Sequence, residues 1–251
     1  MADDDRMIPR RLINPDREET PRSLLDQIEQ GPFDLDTAAW WMSHVTKGAS
    51  WIVGSGPGGI GKSTTMRSYL SVVPGEAPFA IAMPGEIEAL GDQKRCTISL
   101  ELSDHRPPGY LWDKDLRDFF NLADVGHQLV GNVHADTLEE VHGQIVGACE
   151  VPEAQFRHIN IIAFVWLDGY ERGHSERIKD QTSRRFLTSV FYTDGSEDHR
   201  QVFAEGDGLA ADAPRDPEHE ASCRGFLEEA LSSGDRDIDG LREKYLAWEG
   251  R

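Results

Sequence analysis

The chain has 251 residues, with 45 Asp or Glu against 26 Lys or Arg, so its formal net charge is −19. This balance disfavours nonspecific nucleic-acid binding and anionic membrane surfaces, because both depend on cationic side chains that neutralise phosphate. The length is enough for one α/β domain with a full core. Acidic residues occur along the whole chain as well as at its ends, which favours adaptation to a salt-rich cytoplasm over an ordinary acidic protein with acidic tails.

The cysteines and apolar runs indicate a cytoplasmic protein. Cys96, Cys149 and Cys223 are far apart and form no C-x-x-C pair, so neither a zinc knuckle nor a disulfide framework is indicated. Residues 1–6 are acidic, unlike the apolar region of a secretory signal. The sequence has no apolar run that approaches the ~20 residues needed to span a bilayer. We therefore expect no direct membrane insertion.

The first part of the chain leads from an irregular arm into two helices and a strand. Residues 1–22 carry many Asp, Arg and Pro with little periodicity, which predicts a mobile arm. Apolar residues at helical spacing over 24–28 predict a first helix, and Asp36 would cap a second that runs to Gly48. The apolar residues 51–53 then predict a strand.

Residues 56–63 (GPGGIGKS) match G-x-x-x-x-G-K-[ST] at every position. Glycines let consecutive backbone N–H groups point at phosphate oxygens, and the helix that begins near Lys62 adds the positive end of its dipole. Lys62 would reach the β- and γ-phosphates, and the Ser63 hydroxyl would complete a Mg²⁺ shell. A chance match in a glycine-rich turn is the competing interpretation, and the strand before the turn and the helix after it argue against it. The predicted phosphate-binding residues are Gly56, Pro57, Gly58, Gly59, Ile60, Gly61, Lys62, Ser63 and Thr64.

Strands and helices alternate after this loop. One helix extends to about residue 73, a second includes residues 116–122 and a third covers about 137–149. This alternation predicts an α/β fold with a mostly parallel sheet flanked by helices, and the strands at 159–167 and 185–192 are expected to be antiparallel. The predicted strands after the loop are residues 78–83, 96–102, 110–112, 127–133, 159–167, 185–192 and 201–203.

The chain is predicted to divide into three parts. The arm of residues 1–22 precedes a core of residues 23–205 that contains the glycine-rich loop. Residues 206–251 begin as an acidic, proline-containing stretch and close with helix-forming segments at 226–231 and 241–248. We therefore expect an acidic C-terminal tail with short helices.

A phosphate loop indicates a bound nucleotide but not what is done with it. Hydrolysis also requires a carboxylate at the end of a neighbouring strand, which holds Mg²⁺ or its water and orients the attack. In residues 110–118 (YLWDKDLRD), apolar residues precede acids where a strand would end, so this stretch is the best candidate. On the residues alone, a charged loop is an equally good interpretation.

Residues 126–137 (GHQLVGNVHADT) separate these interpretations. They resemble the glycine–histidine strand and histidine box of the type II/type IV secretion and type IV pilus motor ATPases, in which a G-H-x-x-x-x-x-x-H-[AT] run follows the second acidic motif. The resemblance covers about residues 33–203. It implies a P-loop NTPase with a RecA-like core, ATP and Mg²⁺ as cofactors, a hexameric ring of identical subunits and a membrane-platform protein as partner.

The resemblance also implies roles for individual residues. Asp115 falls on the catalytic Glu of the family's Walker B stretch, so it would act in catalysis and, with Ser63, hold Mg²⁺. Glu86 fits the last acid of the family's Asp box. Lys62 and His134 would act at the γ-phosphate. For His134, a capping or core position near the following helix is the competing interpretation.

Departures from the family leave the activity open. Too few residues precede the loop for the family's N-terminal domain, and residues 82–86 (AMPGE) keep only the last acid of the Asp box. Asp115 is one methylene shorter than Glu, so the water that it positions would sit differently. An ATP-hydrolysing motor is therefore set against a catalytically weakened nucleotide-binding regulator or assembly partner. A small-molecule kinase would need an arginine-rich acceptor lid, which the sequence does not show between the loop and Asp115.

Other cationic and histidine side chains have structural as well as functional explanations. In ring motors, arginines from a neighbouring subunit neutralise charge on the phosphoryl group, but charge balance on an acidic surface is the favoured interpretation here. His127 is expected to be structural. A zinc site of His127, His134 and His142 is disfavoured because no thiolate is near. The candidate arginines are Arg10, Arg11, Arg17, Arg22, Arg184 and Arg185.

Overall fold

The computed structural model describes residues 7–9, 12, 21–106, 109–171, 176–180 and 182–250. The α-helices are α1 (Leu24–Glu29), α2 (Leu35–Val45), α3 (Lys62–Ser68), α4 (Asp113–Asn121), α5 (Leu138–His142), α6 (Glu153–Phe156), α7 (Pro217–Ser232) and α8 (Ile238–Glu249). The strands are β1 (Trp51–Gly54), β2 (Phe79–Ala82), β3 (Cys96–Ser99), β4 (Gln128–Val133), β5 (Ile161–Leu167), β6 (Arg185–Tyr192), β7 (Arg200–Ala204) and β8 (Gly208–Leu209). Short 3₁₀ turns cover Tyr69–Val72, Ile87–Leu90 and Leu122–Val125, and a π-helical turn covers Gly143–Ala148.

Within the described part of the chain, the strands form one sheet in the order β2-β3-β4-β1-β5-β6-β7-β8. The first five strands in this order are parallel, and β6, β7 and β8 continue the sheet as antiparallel strands. The prediction of an α/β fold with a mostly parallel sheet and late antiparallel strands is confirmed. Because β4 lies between β1 and β3, the carboxyl ends of these three strands meet at one edge of the sheet.

The glycine-rich loop leaves the middle of this edge. β1 pairs with β4 from Trp51↔Val130 to Gly54↔Val133. All four residues of β1 are buried, as expected for a central parallel strand that is covered on both faces. Because β1 and β4 end in register, the residues that follow Gly54 and Val133 emerge side by side.

Alternate residues of β1 point into two cores, one on each face of the sheet. Trp51 and Val53 belong to the larger core, in which Trp41 stacks on Tyr69 with ring centroids 4.5 Å apart. Ile52 belongs to the opposite core, which is filled largely by side chains of α4, α5 and the residues around α6. The strand that carries the glycine-rich loop is therefore packed on both sides.

The structure shortens the elements predicted next to β4. β3 ends at Ser99, and beyond it Leu102 forms two isolated parallel bridges, one with Leu111 and one with Val133 of β4. Of the strand predicted at 110–112, only the bridge at Leu111 is present in the described structure, and α4 begins at Asp113. Asp115 therefore lies in the first turn of a helix, not at the end of a strand.

The C-terminal segment forms two helices that are longer than predicted and pack on the rest of the domain. α7 has 16 residues and packs along α2, and α8 has 12 residues and packs against the turn at Tyr69–Val72. Both helices begin at an aspartate cap, Asp216 and Asp237. Arg242 of α8 is fully buried and donates to the carbonyl oxygen of Val73. The domain boundaries themselves stay a prediction.

Little of the predicted N-terminal arm falls within the described residues. Ile8 is buried against the larger core, and the carbonyl oxygen of Leu12 accepts a hydrogen bond from the Arg67 guanidinium at 2.6 Å. These two positions of the arm therefore contact the domain. Across the described residues, no helix has the length and apolar character needed to cross a bilayer.

Candidate functional site

The glycine-rich loop joins β1 to α3 along a backbone path that requires glycine at two positions. Gly59 has a φ of 91° and Gly61 a φ of 119°, in the left-handed region that residues with side chains rarely adopt. Gly61 is the cap residue of α3, which begins at Lys62, as the sequence predicts. The turn and the helix start bring backbone N–H groups and Lys62 together, the arrangement typical of phosphate-binding loops.

Lys62 is buried between Glu101 and His134. Its Nζ lies 3.5 Å from Glu101 Oε2 and 3.2 Å from His134 Nε2. Glu101 follows β3 and His134 follows β4, so the order of the sheet brings both side chains to the lysine. The structure thus brings together two of the predicted site residues, Lys62 and His134, and adds Glu101 to them.

Burial shifts the ionisation of all three side chains toward their neutral forms. It raises the pKa of Glu101 from 4.5 to about 7, although the Lys62 charge opposes that shift. It also lowers the pKa of Lys62, against the attraction of Glu101. The pKa of His134 is lowered by burial and then by the Lys62 charge, so this histidine is neutral near pH 7. Glu101 therefore changes charge close to neutral pH.

The raised pKa of Glu101 predicts a pH dependence of stability. A carboxyl whose pKa is higher in the folded state stabilises the fold below pH 4.5, and this contribution is lost as the pH rises through about 7. The free energy of unfolding of the wild type, minus that of Glu101→Gln, should therefore fall by on the order of 3 kcal/mol between pH 4 and pH 8. Urea denaturation of both proteins across this range measures the difference. A difference that stays constant with pH would contradict the raised pKa.

The end of β4 holds the start of the loop. His134 Nδ1 lies 2.7 Å from the Gly56 carbonyl oxygen, and Asp136 Oδ1 accepts a 2.6 Å hydrogen bond from the Gly56 N–H. Because a carbonyl only accepts, the first contact assigns the proton to Nδ1 and leaves the Nε2 lone pair facing Lys62. Gln144, in the π-helical turn, donates to the His134 carbonyl oxygen at 2.8 Å. His134 is thus held beside the lysine, whose Nζ lies 3.2 Å from the proton-free Nε2 and 3.3 Å from Nδ1.

Oxygen atoms suited to Mg²⁺ lie around Lys62. Ser63 is exposed, and its hydroxyl accepts a hydrogen bond from Asn132 Nδ2 at 3.3 Å. Glu101 Oε1 and Asn132 Oδ1 are among the buried oxygens of the described structure that have no hydrogen-bond partner. Mg²⁺ prefers oxygen ligands and retains waters that need acceptors. Ser63 and Glu101 therefore fit a magnesium site.

The connection between β5 and β6 packs against the outside of the loop. The Ile178 N–H donates to the Gly58 carbonyl oxygen at 2.8 Å. A Cβ atom on Gly59 would lie 1.9 Å from the Ile178 carbonyl oxygen, which is closer than two atoms can approach. Arg185 Nε donates to the Ile60 carbonyl oxygen at 3.1 Å. The loop is thus held between the end of β4 and this connection.

The arginines considered as fingers differ in their surroundings. Arg185 is engaged within its own chain, because its terminal nitrogens donate to the carbonyl oxygens of Ser183 and Asp180 at 2.6 Å each. Burial, and after it the nearby charge of Arg22, lower the pKa of Arg185. Arg184 is exposed just before β6. Arg10, Arg11 and Arg17 lie outside the described residues.

Asp115 and Glu86 lie near each other at a different position. Asp115 Oδ1 accepts a hydrogen bond from the Gly85 N–H at 2.8 Å, and Glu86, the next residue, is exposed. Among the contacts of the described residues, neither carboxylate reaches Lys62. The roles suggested for Asp115 and Glu86 stay predictions, and the carboxylate that the structure places beside the lysine is Glu101.

The other two histidines weighed for a zinc site are engaged elsewhere. His127 Nδ1 lies 2.8 Å from Thr97 Oγ1 and its Nε2 3.1 Å from the Gly91 carbonyl oxygen, which is the structural role expected of it. His142 Nε2 lies 2.6 Å from a carboxylate oxygen of Glu153. These contacts direct both rings away from His134.

Comparisons with known proteins add similarities of structure. No protein-family model and no curated protein matches the chain. Two solved structures of secretion ATPases are similar to parts of this chain. The VirB11 ATPase of the Brucella suis type IV secretion system, in complex with sulphate, matches 61% of this chain and 51% of its own, with 18% identity and a TM-score of 0.41. The Legionella pneumophila ATPase DotB matches 92% of this chain and 67% of its own, with 14% identity and a TM-score of 0.46.

The chain spans about half the length of the VirB11 chain. The two similarities describe the fold and assign no residue role. The assignment of roles therefore depends on the contacts within this chain.

Sequence patterns carried a signal for some of the additional site residues. Asn132 and Asp136 lie inside residues 126–137, the segment that resembles the glycine–histidine strand and histidine box. Glu101 lies inside the strand predicted at 96–102, so the sequence pattern did not point to a role at the loop. No sequence pattern predicted that Arg177 lies beside Gly58.

Proposed function

We propose that the chain binds Mg·ATP at residues 56–64 and hydrolyses it, as a motor-type ATPase that resembles the secretion and type IV pilus assembly ATPases. The observation that carries this proposal is the position of Lys62 at the end of the glycine-rich loop, between Glu101 and His134. A buried ammonium beside a carboxylate and a neutral imidazole, next to a loop with left-handed glycines, is suited to a polyphosphate.

The proposal assigns a role to each side chain around the loop. Lys62 exchanges its contact with Glu101 for the β- and γ-phosphates, which frees the carboxylate. Bound Mg²⁺ neutralises phosphate charge, and Ser63 and Glu101 are the residues that would hold it or its water. Glu101, with a pKa of about 7, is also suited to accept a proton from the attacking water at neutral pH. Once Lys62 moves, the proton-free His134 Nε2 can accept a hydrogen bond from water, but it cannot donate one to a phosphate oxygen.

Assembly and location belong to the same proposal. By the resemblance, the active form is a ring of identical subunits, with six as the expected number, acting in the cytoplasm on a membrane-platform protein. The net charge of −19 favours activity at high salt, where repulsion between subunits is screened. No specific nucleic-acid partner is proposed.

The alternative function is a nucleotide-binding regulator or assembly partner with little turnover. The contacts of Asp115 favour it, because this carboxylate binds the Gly85 N–H while Glu101 is the acid beside Lys62. Tight nucleotide binding with background phosphate release would support this alternative.

Titration calorimetry with Mg·ATP in molar KCl tests the proposed function. Wild-type protein should bind, and Lys62→Gln should weaken binding about tenfold or more, because it removes a charge-assisted contact to phosphate. Lys47→Ala is the matched control, since this exposed lysine pairs with Asp216 instead. Phosphate release by the wild type, absent from Lys62→Gln, distinguishes the motor from the regulator. Equal affinities of all three proteins would overturn the phosphate site.

A further inference from the structure

The connection that packs on the glycine-rich loop is anchored at Ile178, which follows Arg177, and at Asp180. Ile178 is buried and its N–H binds the Gly58 carbonyl oxygen. Two residues later, Asp180 Oδ1 accepts hydrogen bonds from the Thr182 N–H at 2.7 Å and the Ser183 N–H at 3.1 Å. The backbone that carries Arg177 is therefore tied to the loop and not merely close to it.

The Arg177 side chain crosses the loop at Gly58. Its Nη1 lies 3.3 Å, and its Cγ 3.5 Å, from the position that a Cβ atom on Gly58 would take. Gly58 is one of the residues between the first glycine of the motif and Lys62, the stretch that encloses the β- and γ-phosphates in such loops. A Cβ atom at Gly58 would displace the guanidinium by only a few tenths of an ångström, so the arginine lies directly against the loop backbone.

The positive charges of Lys62 and Arg177 converge at this point. Burial comes first in lowering the pKa of both Lys62 and His134, and the charge of Arg177 adds to that effect on each of them. Among the described residues, Arg177 forms no ion pair with a carboxylate. Arg177 is exposed, and the Glu101 and Asp136 carboxylates oppose its effect on the pKa of Lys62. An anion placed between Lys62 and Arg177 is attracted by both cations. The convergence is therefore favourable when the loop holds phosphate.

We infer that Arg177 is an arginine, supplied by the same chain as the glycine-rich loop, that contacts the terminal phosphate of the nucleotide. This inference rests on the proposed function. During hydrolysis, water adds to the γ-phosphorus while the bond to the β-phosphate oxygen breaks, giving ADP and inorganic phosphate. Arg177 offsets the negative charge on the transferred group and moves no proton. Arg185 has a different task, because its guanidinium is bound to backbone carbonyl oxygens.

The test compares Arg177→Ala with Lys179→Ala, which removes an exposed cation from the same connection. Affinities for Mg·ATP and Mg·ADP are measured by calorimetry, and kcat by phosphate release. Arg177→Ala should lower the preference for ATP over ADP about tenfold and kcat about 10²-fold, with Mg·ADP affinity kept within twofold. It should also lose the thermal stabilisation that ADP with aluminium fluoride gives the wild type. Lys179→Ala should match the wild type in every measurement.

Two results would overturn the inference. If Arg177→Ala keeps the wild-type preference for ATP and the wild-type response to ADP with aluminium fluoride, the guanidinium does not touch the terminal phosphate. If it loses ADP affinity as much as ATP affinity, its role is to shape the loop. Wild-type protein that binds neither nucleotide would instead refute the proposed function, so the two failures are distinguishable.

Discussion

Glu101→Gln should lower the kcat of ATP hydrolysis about 10³-fold, because the amide can neither accept the proton of the attacking water nor hold Mg²⁺ as a carboxylate does. Glu101 is the acid beside Lys62 in the structure, and its pKa of about 7 fits a proton acceptor at neutral pH. Mg·ATP should still bind, since Lys62 remains. Phosphate release measured at saturating Mg·ATP, with binding measured separately, tests both parts of this expectation.

The matched control is Asp115→Asn, which changes a carboxylate to an amide at the position suggested by the family resemblance. Its partner is the Gly85 N–H, which an amide oxygen also accepts, so we expect kcat within about twofold of the wild type. The opposite outcome, with activity lost in Asp115→Asn and kept in Glu101→Gln, would show that Glu101 only neutralises Lys62 at rest. Asp115 would then have to reach the nucleotide through a rearrangement of α4.

The contrast between Glu101 and Asp115 shows where sequence patterns stop being informative. The glycine-rich loop, the strand before it and the start of α3 at Lys62 follow from local rules of turn and helix chemistry. The contact of Glu101 with Lys62 depends on β4 lying between β1 and β3. No periodicity within a single strand encodes that order. The alternating residue pattern over 96–102 also predicted a strand longer than β3, which ends at Ser99. Glu101 lies beyond that end and contacts the lysine.

The position of His134 could be predicted from the sequence for a different reason. Its segment matches a family pattern, so its placement beside Lys62 was expected, although its catalytic role stays a prediction. Its hydrogen bonds to Gly56 and from Gln144 were not expected, because the second depends on a π-helical turn within a predicted regular helix. Such a turn is rare and has no clear sequence signature.

The C-terminal helices show that amino-acid composition alone does not predict whether a segment packs on the domain. Residues 206–251 contain many acids, which predicted a tail with short helices. In the structure, Phe226, Leu241 and Tyr245 are buried, so one apolar side of each helix supplies enough contact to dock it. Arg242 is the least expected member of this interface, since arginine is rarely fully buried.

Arg242→Ala should lower the free energy of unfolding by about 3–4 kcal/mol, because it creates a cavity and leaves buried carbonyl oxygens without a donor. The guanidinium donates to the carbonyl oxygens of Val73 and Ser71, and it lies 5.2 Å from the ring centre of Phe79 and 5.6 Å from that of Tyr245. These contacts join α8 to the turn that follows α3, so their loss should loosen the support beneath the glycine-rich loop. Urea denaturation in molar KCl measures the change.

Arg224→Ala provides the matched comparison, since this exposed arginine of α7 pairs with Asp36 and Glu228 at the surface. Its removal should cost less than about 1 kcal/mol, because exposed ion pairs gain little in water and less at high salt. Arg242→Met should fall between the two: methionine fills part of the volume but donates to neither carbonyl oxygen. Equal losses for Arg242→Ala and Arg224→Ala would show that α8 is held by its apolar residues alone, with Arg242 adding nothing to the docking.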